Sequence, residues 1–335
     1  MSAPAFLERV NKITRDFMES KLVLSGVELK LFDRLAEGAA TVDELVGELQ
    51  VTARGIEILA DALVACGYLE KRGAAYANSA DVDRYLVRGR PDAIAFITGH
   101  HNQMFRSWAQ LDEIIRHGKQ TRDRDKATLS DRETNRNFIL GMAEVSRERI
   151  GPILERLPLE GARRFVDLGG GPAHYPCEAA RRWPELRSLL IDLPLTVEVA
   201  QGFIAEAGLT DRVDTLVCDF YREDAIPIDE PADVVLISQV LHAEGPDQNR
   251  ALLRKVTPLV RSGGVVAVVE NLVDESRVAP RAAAMFAVNM LAGTARGRTY
   301  TAAEVQGWLR EAGLEPGPAE QIAERTWIIL ARKPA

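Results

Sequence analysis

From Arg163 to the C-terminal end the chain alternates short apolar runs with segments of helical periodicity. The runs cover 164–168, 186–191, 213–218, 233–238, 264–272 and 326–331. Apolar stretches of this length, bounded by turn residues, read as strands buried on both faces. The segments between them carry apolar residues three and four positions apart, as helices packed on a sheet require. Alternation of this kind predicts an α/β fold, a doubly wound parallel sheet that binds its ligands at the carboxyl ends of the strands.

The first hundred residues follow a different pattern. Thr41-Val42-Asp43-Glu44 is a capping box that opens a helix to Leu49. Thr52 opens a second, with Ile56, Leu59, Leu63 and Val64 on one face and Gly67 at its end. Tyr68–Lys71, a break at Arg72-Gly73, and Ala74–Asn78 then read as a small hairpin, which makes a winged helix. Phe17, Leu22, Val23, Leu24, Val27, Leu29, Leu31 and Phe32 are too apolar for a solvated surface, so this part is expected to pack and dimerise. Between the two halves, Met104, Phe105, Trp108, Leu111, Ile114 and Ile115 recur at helical spacing. Asn137–Leu157 is helical again, and Thr121–Arg136 is a charge-rich loop or helix start. The expected division is 1–100 as the winged-helix dimerisation domain, 101–157 as a helical connector and 158–335 as the sheet domain.

Composition narrows the classes. A chain of 335 residues has room for two domains. Its 46% hydrophobic and 27% charged content suits a globular enzyme. A net charge of −7 disfavours a nucleic-acid surface. The exposed positions of the second winged-helix helix, Arg54, Glu57, Asp61 and Ala65, offer one cation where a DNA-reading helix brings several polar or basic groups. Cys66, Cys177 and Cys218 are scattered without metal spacing, which points to a reducing compartment. No signal peptide or 18-residue apolar span is seen, so the expectation is a cytoplasmic protein without a membrane partner. His100-His101-Asn102 suggests a metal cluster, but adjacent helical residues point about 100° apart and cannot easily share an ion; contact with a substrate is the more plausible reading. His174 and Tyr175 stand just after a glycine turn and are expected to face cofactor or solvent.

That turn carries the chemistry. Phe165-Val166-Asp167-Leu168 ends in Gly169-Gly170-Gly171, and Asp192 follows Asp167 by 25 residues at the end of the next apolar run. A glycine turn after one strand and a carboxylate after the next build a nucleoside site. The nicotinamide fingerprint G-x-G-x-x-G fails, because its third glycine is His174. The pattern Asp167 to Ala173 instead resembles motif I of the class I S-adenosylmethionine (SAM) methyltransferases.

With Asp192-Leu193-Pro194, Asp211-Arg212-Val213, Cys218-Asp219-Phe220, Val240-Leu241-His242 and Arg261-Ser262-Gly263-Gly264, the chain resembles the small-molecule O-methyltransferases of the plant caffeate and hydroxyindole type and their bacterial natural-product relatives. The resemblance covers nearly the whole chain. It implies a homodimer, SAM as cofactor with S-adenosylhomocysteine (SAH) as product, and a small, aromatic, hydroxylated acceptor. It assigns the ribose to Asp192 and the methionine portion to Gly169 and Gly171, with Asp167 orienting the turn. Asp219 and Phe220 stand beside the adenine, Leu193 lines the adenosine slot, and Ser238 ends the fourth strand at the cofactor. His242 is the general base, since imidazole titrates close to neutrality, and Glu270 orients it.

Three positions depart from the family pattern. Ala243-Glu244 replaces the usual Asp-Trp, Ala173 replaces the third motif-I glycine, and the plant enzymes' second catalytic acid falls near Thr299. These leave room for carbon or nitrogen methylation; a SAM-binding winged-helix regulator is the reading outside the enzyme class. The acceptor candidates are Trp108, Phe138, Met142, Met285, Phe286, Asn289, Met290 and Tyr300, each of which could also be core.

Overall fold

Why the first part folds as it does is visible at its caps. The structure is a computed structural model that describes residues 3–118 and 131–335, so Thr121–Ser130 of the expected charge-rich stretch lies outside the described residues. Helices α1 (Ala3–Ile13), α2 (Phe17–Glu28) and α3 (Leu31–Leu35) precede a short strand β1 (Ala40–Thr41). Thr41 and Glu44 form the reciprocal capping box that starts α4 (Val42–Leu49), and Thr52 caps α5 (Ala53–Ala65) through the Gly55 amide. Strands β2 (Leu69–Arg72) and β3 (Ala75–Asn78) then make a three-stranded sheet in the order β1-β3-β2. This is the expected helix-turn-helix with a wing.

The apolar segment from Phe17 to Phe32 divides between two environments. Leu24, Val27, Leu31 and Phe32 are buried in this unit's own core with Leu45, Ile56, Leu63 and Tyr76. Phe17 and Leu29 are exposed, as are Phe6, Leu7, Ile13 and Met18. The segment expected to pack and dimerise thus closes the core with one part of its residues and leaves others exposed. A methyl group added to Gly26 would come within 2.5 Å of the Phe32 ring.

Helices α6 (Ala80–Tyr85) and α7 (Ala95–Trp108) follow, and the chain divides into two compact units between Arg106 and Ser107. The segment expected as a connector is therefore shared: 101–106 go with the first unit and the remainder with the second. Helix α8 (Leu111–His117) and the long α9 (Arg132–Leu154) belong to the second unit. Ile153 and Leu154 of α9 are fully buried in one cluster with Phe165, so this helix packs on the sheet. No helix among the described residues is long and apolar enough to cross a membrane.

The second unit is the doubly wound sheet. Its elements are β4 (Arg164–Leu168), α10 (His174–Arg182), β5 (Arg187–Asp192), α11 (Pro194–Glu206), β6 (Val213–Val217), β7 (Ala232–Ser238), α12 (Pro246–Val256), β8 (Val260–Val273), α13 (Arg281–Gly293), β9 (Tyr300–Thr301), α14 (Ala302–Glu311), β10 (Glu315–Gln321) and β11 (Thr326–Arg332). The strand order is β10-β11-β8-β7-β4-β5-β6, and β9 pairs with the end of β8. Strands β4 to β8 run parallel; β10 and β11 are antiparallel. Alternate residues face two cores, with Val166, Leu168, Val235, Ile237, Val266 and Val268 on one side and Phe165, Val234, Leu236, Ala267 and Val269 on the other.

Two strands differ from the sequence pattern. β8 begins at Val260, ahead of its glycines. β10 has no apolar signal at all: Glu-Pro-Gly-Pro-Ala-Glu-Gln is an edge strand, largely exposed, and an edge tolerates proline because one row of its backbone groups faces solvent.

Arg212, one of the family-like positions, is a structural brace. Its guanidinium donates to the carbonyls of Leu186, Trp183 and Ala180 at 2.6, 2.9 and 3.2 Å, closing the end of α10 against β5. Replacing it leaves those acceptors half-buried and unpaired. Arg212→Gln should lower unfolding stability by about 2–3 kcal/mol in a denaturant melt, with SAM affinity of the folded protein unchanged; equal stability would refute the brace.

Candidate active site

The glycine turn leaves β4 where a side chain has no room. Gly169 and Gly171 hold φ of +75° and +58°. A methyl group on Gly169 would lie 2.7 Å from Val240 and 3.4 Å from the Phe220 ring, so the loops after β4, β6 and β7 meet at this point. Gly170, which the pattern did not single out, is the tightest of the three: its methyl group would fall 2.0 Å from Asp167 Oδ2. Ala173 also adopts a left-handed conformation, φ +61°, and is completely buried. Alanine in place of the family's glycine is therefore a costly departure, because an L side chain is disfavoured by about 1–2 kcal/mol in that region.

Beneath the turn, Asp167 is wholly buried and neither of its oxygens has a partner among the described residues. Burial, then the nearby Asp192 charge, hold its pKa well above the usual carboxylate range. Asp192 ends β5 and is itself buried. Its Oδ2 accepts from the Gly171 amide at 2.9 Å and its Oδ1 from the Leu193 amide at 2.7 Å, and Thr196 adds a side-chain bond. Burial outweighs these bonds and pushes its pKa up to about 6. Leu193 is half-buried at the cap of α11.

After β6, Phe220 is buried with its ring tilted against Tyr221, and its carbonyl accepts from Lys255 at 2.5 Å. Lys255 also reaches the Glu223 carbonyl at 2.7 Å, a clamp that no local pattern marks. Asp219 is half-exposed and accepts from the Arg222 amide at 3.2 Å, capping its own turn. Ser238 is buried and bonded to Tyr175. His174 binds Ser146 at 2.8 Å and packs edge-on against Phe203; burial, then Arg147 and Arg181, push its pKa down to about 4.

These groups fit a nucleoside with an amino-acid tail. A buried carboxylate ends the strand beside the turn, an aromatic ring borders the turn, and the turn admits close backbone approach.

His242 lies in a 3₁₀ turn, 241–243, directly after β7. Its Nδ1 is 2.8 Å from Glu270 Oε2, and its backbone amide donates to Glu270 Oε1 at 3.3 Å. The Glu270 side chain is only 3% exposed and that of His242 13%, so the pair is shielded from water. Residues distant in sequence clamp this turn. Asn249 donates to the carbonyls of Leu241 and Glu244, and the Tyr300 hydroxyl donates to the Glu244 carbonyl. Gly297 presses its backbone on the turn: a methyl group there would lie 2.3 Å from the His242 carbonyl. Behind the turn, Gln239 is left-handed at φ +59° and accepts from Asn271 Nδ2 at 2.6 Å.

The expected acceptor residues fall into three groups. Phe286 packs edge-on against His242, ring centres 4.9 Å apart, so α13 borders this histidine. Met290 is buried on the same helix, and Asn289 Oδ1 accepts from Trp108 Nε1 at 3.3 Å, tying α13 to the end of α7. Phe138 and Met142 are half-buried on α9, and Met285 is largely exposed. Tyr300 is removed from the acceptor candidates: it is 2% exposed, stacked edge-on against Trp308, and works as a brace. Thr299 is buried beside it. His100 and His101 belong to the first unit. Among the described residues no group of three or more His, Cys, Asp or Glu could hold a metal. A mostly apolar cavity of about 480 Å³ lies past Glu270, between Val273, Pro280 and Trp327, and none of the expected site residues lines it.

A glycine turn, a buried acid at the end of the next strand and a buried histidine–carboxylate pair on a doubly wound sheet are the features of a nucleoside-binding group-transfer enzyme. Residues 108–315 match the O-methyltransferase domain and residues 12–88 the O-methyltransferase dimerisation domain. The chain belongs to the O-methyltransferase family and is a SAM-dependent methyltransferase of small molecules. It is 34% identical to 3-hydroxy-5-methyl-1-naphthoate 3-O-methyltransferase of Streptomyces sahachiroi, over 88% of this chain and 86% of that one. It is 30% identical to the tetracenomycin polyketide synthesis 8-O-methyl transferase TcmO of Streptomyces glaucescens, over 96% of both. The fold matches human N-acetylserotonin methyltransferase solved in complex with SAM, with a TM-score of 0.82 at 24% identity over 100% and 99% of the two chains.

Two outcomes follow from this geometry. The native Asp192 carboxyl titrates near 6 against an ordinary 3.8, so ionising it weakens the apo fold as pH rises through that window, by up to about 3 kcal/mol. The melting temperature of Asp192→Asn minus that of wild type should therefore climb between pH 4 and 7, while SAM affinity falls on the order of 10²-fold. A flat difference would refute the buried-charge account. Gly297→Ala should cut kcat at least about tenfold by displacing His242 and leave SAM affinity, read by calorimetry, within about twofold.

Proposed function

We propose that the protein methylates a hydroxyl of a small aromatic acceptor, with His242 as general base and Glu270 as its orienting partner. The observation that carries this reading is the buried 2.8 Å contact between His242 Nδ1 and Glu270 Oε2. A carboxylate on Nδ1 keeps the ring hydrogen there. The lone pair is then on Nε2, where it can accept the hydroxyl proton as the oxygen becomes a nucleophile. SAM, when bound, supplies an electrophilic methyl on a positively charged sulfur. Asp192 would accept from the ribose hydroxyls, Gly169 and Gly171 would pass beneath the methionine portion, and Phe220, Asp219 and Leu193 would border the adenosine. Holding nucleophile and methyl in line contributes at least as much as the base.

Phe286 beside His242, with Met290 and the Trp108–Asn289 contact on the same helix, supports a largely apolar surrounding for the acceptor, to which Phe138 and Met142 of α9 would add. The Streptomyces sahachiroi relative, whose name specifies a hydroxynaphthoate, supports an aromatic acceptor. The dimerisation domain and the exposed Phe6, Leu7, Ile13, Phe17 and Met18 support a homodimer formed through the first unit.

Nitrogen methylation is the second reading. It is favoured by the N,N-dimethyltransferase OxyT of Streptomyces rimosus, 27% identical over 96% of this chain, and by a buried Thr299 where the plant enzymes carry a second acid. The readings separate on one variant. A neutral amine needs no proton removed before attack, whereas a hydroxyl does. His242→Ala should lower kcat about 10²–10⁴-fold on phenolic acceptors with SAM affinity unchanged, and Glu270→Gln about 10–100-fold. Robust methylation of amines by His242→Ala, with no phenol turned over by wild type, would transfer the assignment to nitrogen.

A further inference from the structure

Two half-buried arginines of the second unit have no ion-pair partner at bonding distance among the described residues. Arg325 ends the hairpin between β10 and β11, one residue before Thr326, which pairs in register with Asn271 of β8. Arg149 belongs to α9. Both are half-buried, and neither meets a carboxylate or carbonyl at bonding distance among the described residues. Other arginines buried to this degree are paired: Arg88 with Asp33, Arg106 with Glu28, Arg250 with Glu311, Arg277 with Glu304.

The position of the pair gives it meaning. The Arg325 guanidinium stands 5.0 Å from the centre of the Phe286 ring, whose edge meets the His242 imidazole. Arg325 is thus one aromatic ring away from the proposed base. Burial, and then the charge of Arg149, draw its pKa below the usual arginine range, against the opposing pull of the exposed Glu324. Like charges brought together in a partly dry site destabilise each other until an anion joins them.

We propose that Arg325 and Arg149 form a subsite for a carboxylate carried by the acceptor. Resting on the hydroxyl-methylation reading above, this makes the substrate an acidic hydroxyarene, its hydroxyl at His242 and its carboxylate across the width of Phe286. A guanidinium fork matches a carboxylate with two parallel hydrogen bonds. The methionine carboxylate of SAM is the other source of the same chemistry. Arg325 favours the acceptor, because the ring it covers meets the His242 imidazole; Arg149 also acts on Tyr175, which is bonded to Ser238 of the candidate cofactor groups, so the two sources are told apart by the test below.

The test is calorimetric titration of the SAH-loaded protein with hydroxynaphthoates and hydroxybenzoates, each beside its methyl ester, for wild type, Arg325→Gln, Arg149→Gln and Arg325→Lys. The expected result is an acid bound at least about tenfold tighter than its ester, a preference erased in both Gln variants and partly kept in the Lys variant. Ester binding should stay within about twofold throughout. Equal binding of acid and ester by wild type, or no binding of any acid, would overturn the proposal. So would parallel loss of both probes in the variants, which marks a structural role, or loss of SAH affinity, which assigns the pair to the cofactor. Because this readout is binding, an acid held by the arginines yet methylated independently of His242 would remove the base assignment and leave the subsite standing.

Discussion

A buried carboxylate in the middle of a sheet is expensive, and Glu270 is kept there by its bonds to one short turn. Its oxygens take the His242 imidazole, the His242 amide and the Asn271 amide at 3.2 Å. An ionised group at this depth costs several kcal/mol when unpaired. The strand that carries the acid and the turn that carries the histidine are therefore held to one geometry. The left-handed Gln239, bonded to Asn271 and to the Val269 carbonyl, sets where the turn leaves β7. Asn249, Tyr300 and Gly297 close it from elements further along the chain.

The cofactor side of the edge has the opposite electrostatic character. Asp167 and Asp192 are two buried acids at the ends of neighbouring strands, each driven toward the protonated form. Asp192 has two amide donors and Asp167 has none. Stability given up at such a pair is recovered when hydroxyl donors arrive, which ties ligand affinity to the state of the fold. The glycines between the two acids are required by contact as much as by backbone angle, as Gly170 over Asp167 shows.

Much of this was legible along the chain. The apolar runs located most of the strands because a parallel sheet buries both faces. The capping boxes located helix starts because a Thr and a Glu three residues apart satisfy each other's backbone locally. Asp192 could be found because the α/β rule places ligand groups at strand ends, and Glu270 because the chain resembles a family that carries an acid there. β10 was invisible, since an edge strand needs no apolar residues and its pairing is supplied by β11. The apolar segment Phe17–Phe32 could be seen to be buried, but the chain alone does not distinguish a core from a dimer face.

What remained came from contacts between distant residues. Lys255 beneath Phe220, Gly297 on the His242 carbonyl, Tyr300 as a brace, and Arg149 and Arg325, unpaired among the described residues, have no local signature, because each depends on which segments the fold brings together. Hydrophobic period and strand-end chemistry are properties of neighbours in the chain, and they were enough for the class of fold and for a nucleoside-type site; the family-like motifs added the cofactor. Close packing and charge balance are properties of neighbours in space, and they alone settled how tightly His242 is held and which arginines lack a counter-ion among the described residues.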